Sequence, residues 1–291
     1  MTDGIIIKKY NSYYYVQSED NVAECKLRGR FKQSRYSLCV GDRVTYIATE
    51  HGKGIIEQIL PRKSLLLRPM VANIQQVIIT FAAKNPDFNV DLMNRFLVLG
   101  ECSNLDIVIC LTKIDLLDNL QVDLLINQYE NIGYRVIKIS NKHQIGIAEL
   151  MEVLDDKVSV FAGPSGVGKS TLLNLIEPKF NLKTGDVSNK IGRGKHTTRF
   201  AELLPLSNGG FVVDTPGFSF TEFVDLDERA IADCFPEFHE VKGSCKFNTC
   251  LHLHEPQCVI KRAVIDGIID DSRYQSYSNI LSEIKKAKRG F

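Results

Sequence analysis

Glycines, a lysine and a serine follow a short apolar run near the middle of this 291-residue chain. Residues 163–170 have the sequence Gly-Pro-Ser-Gly-Val-Gly-Lys-Ser, which matches G-x-x-x-x-G-K-[ST] at every defined position. Glycines leave room for backbone N–H groups around a phosphate, and a following helix adds the partial positive charge of its N-terminus. Lys169 is expected to reach the β- and γ-phosphates and Ser170 to bind Mg²⁺. The segment therefore predicts a nucleotide phosphate site rather than a glycine-rich turn with a chance lysine.

Apolar strands alternate with helical stretches from residue 74 to residue 214, as is typical of βαβ units around a mostly parallel sheet. Strands are predicted at Gln76–Ala82, Leu105–Leu111, Tyr134–Ile139, Val158–Ala162, Arg199–Leu204 and Phe211–Val213. Helices are predicted at Val90–Cys102, Gln121–Ile132, Ile147–Leu154 and Lys169–Ile176. The phosphate loop thus lies between a strand and a helix. Its expected nucleotide contacts are Gly163, Pro164, Ser165, Gly166, Val167, Gly168, Lys169, Ser170 and Thr171.

A second loop, Thr112-Lys-Ile-Asp115, follows an apolar strand, where α/β sheets place ligand loops. The Asp115 carboxylate can accept hydrogen bonds from guanine N1–H and N2–H₂, whereas adenine offers no matching donors. Lys113 can lay its stem across the base, and the Thr112 hydroxyl can hold the loop. Ser140, which ends the next strand, can support a backbone contact to the base oxygen. We favour a guanine site at these residues, with a plain helix-capping role for Asp115 as the alternative.

Two further segments carry groups suited to Mg²⁺ and a γ-phosphate. An apolar strand leads to Asp214, whose carboxylate is expected to orient Mg²⁺, and then to Gly217, whose N–H is expected to bind the γ-phosphate. The basic segment Gly192–Thr198 ends in two hydroxyls that can complete the coordination of Mg²⁺ when a γ-phosphate is present. A plain surface loop is the alternative for this segment. The predicted magnesium ligands are Ser170, Thr197, Thr198 and Asp214.

These motifs occur in an unusual order, because the base-recognition loop precedes the phosphate loop. A circular permutation explains the order if the usual ends are joined through Ile147–Lys157 and new ends open after Gly217. With the segments on either side, the whole chain resembles the circularly permuted GTPases of the RsgA (YjeQ/YloQ) family. The resemblance implies a multidomain fold with an N-terminal all-β OB-like barrel, a central α/β P-loop GTPase domain and a C-terminal, mainly α, zinc-binding domain.

The resemblance also implies a function and partners. It implies a GTPase that binds the small ribosomal subunit and its rRNA, is stimulated by that subunit, and assists late small-subunit maturation. The expected domains are 1–67 (RNA-binding barrel), 68–220 (GTPase) and 221–291 (zinc-binding). The T-K-x-D and D-T-P-G motifs disfavour a small-molecule kinase. A nucleotide-gated RNA-binding scaffold with incidental hydrolysis stays an alternative.

The catalytic group is less directly indicated. The residue after Gly217 is Phe218, whose ring cannot orient water as the glutamine of Ras-like GTPases does, so unassisted hydrolysis is expected to be slow. We take His196 in the basic segment as the candidate catalytic residue, brought into order by a partner. A surface or RNA-contacting histidine is the alternative. The segment after Gly217 leads straight into the C-terminal module. We therefore expect the position of residues 218–291 to depend on whether GTP or GDP is bound.

Three cysteines and one histidine lie within fourteen residues, in the pattern Cys245-x4-Cys250-x-His252-x5-Cys258. Three thiolates and one imidazole match a tetrahedral structural Zn²⁺ site. We expect one structural Zn²⁺ ion, with His254 as the rival ligand to His252 and buried unliganded thiols as the alternative. The segment offers no other obvious large core, so metal binding is expected to be coupled to folding.

The first 60 residues predict an all-β module. Five short strands are expected at Gly4–Lys9, Tyr13–Gln17, Ala23–Phe31, Arg43–Ala48 and Gly54–Leu60, which favours a small OB-like barrel. Residues 1–67 carry 11 Lys and Arg against 7 Asp and Glu, and cations alternate with aromatic residues between the third and fourth strands. Such a surface suits RNA, with a solvated strand face as the alternative.

The bulk composition bounds the remaining possibilities. Hydrophobic content of 44%, charged content of 24% and a net charge of +1 are ordinary for a soluble globular protein. No apolar run approaches a membrane span, and the N-terminus does not resemble a signal peptide. A disulfide framework would need secretion, so the bunched cysteines, Cys234 among them, suggest metal binding instead. We therefore expect a cytoplasmic monomer with no membrane partner, which binds Mg²⁺ together with GTP.

Overall fold

The computed structural model describes residues 1–19, 21–29, 38–67, 70–182, 201–214, 223, 226–241 and 245–289. The chain divides into two compact units, one of residues 1–76, 147–161 and 169–218 and the other of residues 77–146, 162–168 and 219–291. The strands are β1 (Thr2–Tyr10), β2 (Tyr13–Ser18), β3 (Asn21–Leu27), β4 (Arg43–Thr49), β5 (Lys53–Ile59), β6 (Leu65–Leu67), β7 (Met70–Ala72), β8 (Gln76–Ala82), β9 (Asp106–Thr112), β10 (Arg135–Lys138), β11 (Val158–Ala162), β12 (Glu202–Pro205) and β13 (Phe211–Asp214). The α-helices are α1 (Val90–Cys102), α2 (Asn119–Ile132), α3 (Ile147–Leu154), α4 (Lys169–Ile176), α5 (Pro236–His239), α6 (Val259–Ile265) and α7 (Asp271–Arg289).

The first five strands close into a barrel in the order β1–β2–β3–β5–β4. Neighbours are antiparallel, except that β3 and β5 run parallel. Because side chains alternate along a strand, every second residue faces inward, and the interior contains the fully buried Ile6, Val16, Cys25, Val44 and Ile56. The predicted five-stranded OB-like barrel is therefore confirmed. Its third strand ends at Leu27 rather than at the predicted Phe31, and residues 30–37, which hold much of the basic and aromatic stretch, lie outside the described residues.

The same unit holds a short hairpin of β6 and β7 that was not predicted, because three-residue strands carry no readable alternation. It also holds β11 parallel to β13, and β12 antiparallel to β13. The buried amide of Gln76 joins α3 to β11 by donating to Val153 O and Ser159 Oγ, each at 2.8 Å. All five residues of β11 are buried, which makes it a firm base for the loop that follows.

The second unit contains three neighbouring strands in the order β10–β9–β8, of which β9 and β10 are parallel. All seven residues of β8 are buried, as in a strand covered on both faces. Helix α1 is capped by Asn89, whose side chain accepts from Leu92 N, and α2 begins with a capping box of Asp118 and Gln121. Strands β8 and β11 and helices α1, α3 and α4 have the predicted bounds. The strand predicted from Arg199 begins at Glu202.

The C-terminal helices share an apolar core with α1, and the expectation that this segment lacks a large core was wrong. The signal was missed because the aromatic residues come from several short segments. Arg273, fully buried, pairs with Glu237 at 2.6 Å and donates to Asn94 Oδ1 at 3.3 Å. The buried side chains of this core include Val98, Leu99, Phe235, Phe238, Ile260, Tyr277, Leu281 and Ile284.

Cys102 at the end of α1 forms a disulfide with Cys234. Cys234, which is not one of the four predicted metal ligands, therefore pairs with another cysteine. The two cysteines are 132 residues apart in the sequence, and spacing along a chain does not reveal such a pair. Within the described residues, the other six cysteines form no disulfide. None of the helices in the described part of the chain is long and apolar enough to span a bilayer.

Candidate nucleotide and metal sites

The phosphate loop follows β11 and depends on glycine for its shape. Gly163, Gly166 and Gly168 have φ values of 137°, 80° and 98°, which side chains rarely adopt. A Cβ on Gly163 would lie 2.0 Å from Thr80 O, so no other residue fits there. Val167 is buried, whereas Ser165 is exposed. The loop thus makes a tight turn whose glycines leave the backbone uncovered by side chains, as a phosphate site needs.

Thr112 and Lys113 bind the phosphate loop directly. Thr112, fully buried at the end of β9, has its Oγ1 2.6 Å from Val167 O and 3.1 Å from Phe81 O. Lys113, in the left-handed region at φ 57°, donates from Nζ to Gly166 O at 2.8 Å and also to Asn85 O. The hydroxyl of Thr112 thus holds the phosphate loop through Val167 O, a contact that the sequence did not indicate. The base-recognition loop and the phosphate loop therefore form one hydrogen-bonded structure.

Asp115 lies exposed beside Ser140, where an external ligand can reach its carboxylate. Ser140 Oγ donates to Asp115 Oδ1 at 2.7 Å and accepts from His143 N at 3.2 Å. The hydrogen bond from Ser140 lowers the pKa of Asp115, against a smaller opposing effect of burial. Asp115 is thus held as an ionised acceptor, which is the state that paired N–H donors require.

The predicted phosphate and magnesium ligands are only partly described. Lys169 begins α4 immediately after the loop, and burial lowers the pKa of its ammonium group to about 8. Ser170 and Thr171 continue the first turn of α4, and Asp214 is the last residue of β13. Four other predicted site residues lie outside the described residues: His196, Thr197, Thr198 and Gly217.

The predicted metal ligands meet in one cluster. Ligand atoms of Cys245, Cys250, His252 and Cys258 all lie within 4.8 Å of one another. His252 Nδ1 is 3.6 Å from Cys245 Sγ and 3.3 Å from Cys258 Sγ. A tetrahedral Zn²⁺ with its usual bond lengths separates sulfur and nitrogen ligands by about 3.5 Å, so the four residues fit this ion. The rival ligand His254 is exposed and is not part of the cluster.

The loop that carries these ligands is held by side chains of α7 and by one carboxylate. Tyr274 donates to His252 O and Tyr277 to Leu251 O, each at 2.8 Å. Glu255 accepts backbone N–H bonds at 2.8 to 3.0 Å from residues 251, 253 and 254. Burial raises the pKa of Glu255, but these bonds outweigh burial and leave the pKa below its usual value. The helical spacing of Tyr274 and Tyr277 in the sequence indicates only packing, because spacing does not reveal a hydrogen bond to a distant carbonyl.

Comparison with known proteins finds family models and close relatives that match this chain. A family model for the RsgA GTPase matches residues 59–224, and a model for the RsgA N-terminal domain matches residues 3–56. The small ribosomal subunit biogenesis GTPase RsgA of Alkaliphilus metalliredigens is 46% identical over 291 residues, which are 99% of this chain and 100% of that protein. The protein of the same name from Clostridium beijerinckii is 46% identical over 283 residues, 97% of each chain.

Two solved structures are similar over almost their full length. The crystal structure of YjeQ from Thermotoga maritima matches with a TM-score of 0.86 at 38% identity, covering 97% of this chain and 98% of that one. The crystal structure of YloQ, described as a circularly permuted GTPase, matches with a TM-score of 0.84 at 38% identity, covering 98% and 96%. The sequence and structure matches extend across the barrel, both nucleotide loops and the metal cluster, so this chain belongs to the RsgA GTPase family.

Proposed function

We propose that this protein is a GTPase that acts in the maturation of the small ribosomal subunit, hydrolysing GTP to GDP and phosphate. The observation that carries the proposal is the direct bonding of Thr112 and Lys113 to the carbonyls of Val167 and Gly166. A base-recognition loop fixed to a phosphate loop suits one ligand that has both a guanine base and phosphates. The curated relatives at 46% identity are named small ribosomal subunit biogenesis GTPases, which supports the assignment of the biological role.

The nucleotide contacts follow from the chemistry of each group. Asp115 accepts from guanine N1–H and N2–H₂, with Ser140 holding the carboxylate in place. Backbone N–H groups of residues 163–168 and the Lys169 ammonium bind the phosphates. Ser170 and Asp214, together with Thr197 or Thr198, would hold Mg²⁺, which would supply positive charge against the phosphates. Gly217 adds a backbone N–H at the γ-phosphate.

Hydrolysis is proposed to depend on a partner. Phe218 cannot orient a water molecule, so we assign that role to His196, positioned when the small subunit binds. The segment after Gly217 runs directly into residues 221–291, and we propose that this connection transmits nucleotide state to the zinc-binding domain. Cys245, Cys250, His252 and Cys258 would hold a structural Zn²⁺, since four protein ligands leave no open position for a substrate.

The barrel is proposed to bind rRNA. Within it, Lys26 Nζ lies 5.2 Å from the centre of the Tyr13 ring, so a cation and an aromatic face that can stack on a base occur together. We propose that residues 1–67 form the RNA-binding domain, residues 68–220 the GTPase domain and residues 221–291 the zinc-binding domain. The protein is proposed to work as a monomer in the cytoplasm.

A turnover assay with GTP and ATP, with and without purified small ribosomal subunits, tests the proposal. We expect slow GTP hydrolysis alone, strong stimulation by subunits that weakens with added salt, and little ATP turnover. Lys169→Met should abolish turnover. Lys179→Met, which replaces an exposed lysine of the same unit, is the control and should leave turnover unchanged. Equal use of ATP would contradict the guanine assignment. Subunit binding without any stimulation would favour a nucleotide-gated scaffold.

A further inference from the structure

Lys8 of the barrel strand β1 forms an ion pair with Glu202 of β12, with its Nζ 3.1 Å from Glu202 Oε1. Both strands belong to the same compact unit. The two side chains are 26% and 36% exposed, so a third charged group from solution can reach the pair. An ion pair this exposed is weak, and a stronger partner for either side chain can replace it.

The surface around Lys8 has the chemistry of an RNA contact. In the ladder between β1 and β2, Lys8 lies opposite Tyr15, and two residues further along Tyr10 lies opposite Tyr13. Alternate residues of a strand face the same side, so Lys8 and the three tyrosines share the outer face of the barrel. Lys26, 5.2 Å from the Tyr13 ring centre, adds a second cation. Rings that stack on bases and cations that bind phosphates thus lie side by side.

Glu202 adds a negative charge at the edge of this surface. It helps to line a groove whose residues are Ile7, Lys8, Tyr10, Tyr15, Val22 and Glu202. Among these six residues, Lys8 is the one cation and Glu202 the one carboxylate. A phosphate that approaches Lys8 is repelled by the Glu202 carboxylate, which already occupies the ammonium group. An RNA phosphate and Glu202 therefore compete for Lys8.

Strand β12 connects this competition to the strand that ends in a proposed magnesium ligand. It has four residues, and it pairs with β13 in a register that puts the main chain of Glu202 directly opposite that of Asp214. So short a ladder opens easily, and the pair with Lys8 is a second attachment of β12, to the barrel. Loss of the pair should loosen the ladder at Asp214.

We infer that Glu202 is an internal competitor of RNA: it occupies Lys8 in the free protein, and an RNA phosphate displaces it and releases β12 from the barrel. The inference rests on the proposed binding of RNA by the barrel. It gives that binding an effect on the main chain at Asp214. Because the effect is reciprocal, a substitution that breaks the pair without removing Lys8 must favour RNA.

The test is a double-mutant cycle on the full chain, with binding of a fluorescent oligouridylate RNA measured by anisotropy. We expect Glu202→Gln to bind about two- to fivefold more tightly, since no ion pair has to break, and Lys8→Gln to bind more weakly. In the Lys8→Gln background, Glu202→Gln should bring no gain. Asp3→Asn removes an exposed carboxylate from the same barrel strand, and as the matched control it should leave affinity unchanged.

Amide hydrogen exchange tests the release of β12. Saturating oligouridylate should speed exchange at residues 202–205 and 211–213 of the wild-type protein by about two- to fivefold, and Glu202→Gln should show the faster rate without RNA. Exchange in these residues that ignores both RNA and the substitution would overturn the release of β12.

The binding outcomes separate this inference from the proposed function. A gain from Glu202→Gln that persists without Lys8, or that Asp3→Asn reproduces, would be a general effect of charge and would overturn the competition. Wild-type binding of oligouridylate with no change in Glu202→Gln overturns the inference alone. If the wild-type protein does not bind the RNA, the proposed role of the barrel fails together with the inference.

Discussion

Two loops of this protein are held in the same way: the phosphate loop, called here the nucleotide loop, and the loop of residues 245–258, called here the metal loop. In each, a side-chain donor from a distant part of the chain binds a backbone carbonyl of the loop. Thr112 and Lys113 bind the carbonyls of residues 167 and 166, and Tyr274 and Tyr277 bind those of residues 252 and 251. The surroundings differ. The donors of the nucleotide loop belong to a second ligand-binding loop, whereas the donors of the metal loop project from a packed aromatic core.

This difference predicts which property of the protein changes when a residue near each loop is mutated. Tyr277 lies edge-on to Phe235 and Phe238, with ring centres 5.4 and 5.2 Å away, so its hydroxyl is fixed by packing. The nucleotide loop relies on a few hydrogen bonds between two segments that are both proposed to contact the ligand. Damage near the metal loop should therefore cost stability, and damage near the nucleotide loop should cost affinity.

Tyr277→Ala should give the largest effect. Tyr277 is fully buried, and removing a buried aromatic ring costs about 3 to 5 kcal/mol. We expect the opening free energy of α7, measured by amide hydrogen exchange, to fall by about this amount, while the folded variant keeps its GDP affinity. Leu120→Ala, at a leucine that is 71% exposed, is the control and should change neither. A loss below about 1 kcal/mol would mean that the core does not support the metal loop.

Thr112→Val should give an effect of intermediate size, and on nucleotide affinity rather than on stability. Valine keeps the branched shape but leaves Val167 O without its donor, which costs about 1 to 3 kcal/mol in a buried site. Because the phosphate loop is then less ordered before binding, we expect GDP affinity to fall about tenfold or more by calorimetry. Exchange in α7 should be unchanged. Thr49→Val, at an exposed strand position, is the matched control. Unaltered GDP affinity would show that the loop is rigid without Thr112.

The sequence predicted what is local and missed what is distant. The ligands at 245, 250, 252 and 258 lie close together in the chain, so their spacing was enough to predict the metal cluster. The choice between His252 and His254 was not local. It depends on a left-handed turn at His252, with φ 57°. The turn is held by a hydrogen bond that Leu253 N donates to Glu255 and by one that Tyr274 donates to His252 O.

The same limit applies to the nucleotide site. The motif at residues 112–115 indicated a base contact for the stem of Lys113, but it did not indicate the hydrogen bonds of Nζ to Asn85 O and Gly166 O. Asn85 and Gly166 are 28 and 53 residues from Lys113 in the sequence, and the disulfide joins cysteines 132 residues apart. Such contacts depend on how strands and helices stack, which a pattern of residue types does not encode.

The pH dependence of GDP binding should give the smallest effect, and it arises only at the nucleotide loop. Burial lowers the pKa of Lys169 to about 8 in the free protein. Bound phosphates favour the ammonium form and raise this pKa, so above pH 8 binding takes up a proton. Affinity is then unaffected well below pH 8 and falls as pH rises through it. With a pKa of about 8 in the free protein and a higher pKa in the complex, GDP affinity should drop by up to about tenfold between pH 7 and pH 9.

Lys169→Arg isolates the contribution of this one group, because a guanidinium stays charged throughout that pH range. The variant should bind GDP more weakly overall, since the arginine fork does not match the lysine geometry, but its affinity should not share the tenfold decline. Calorimetry at pH 8.5 in two buffers of different ionisation enthalpy should detect proton uptake in the wild-type protein and less in the variant. Equal declines in both proteins would assign the pH dependence to the nucleotide itself. In that case burial of Lys169 does not control binding, and the nucleotide loop would be as insensitive to pH as the aromatic core that supports the metal loop.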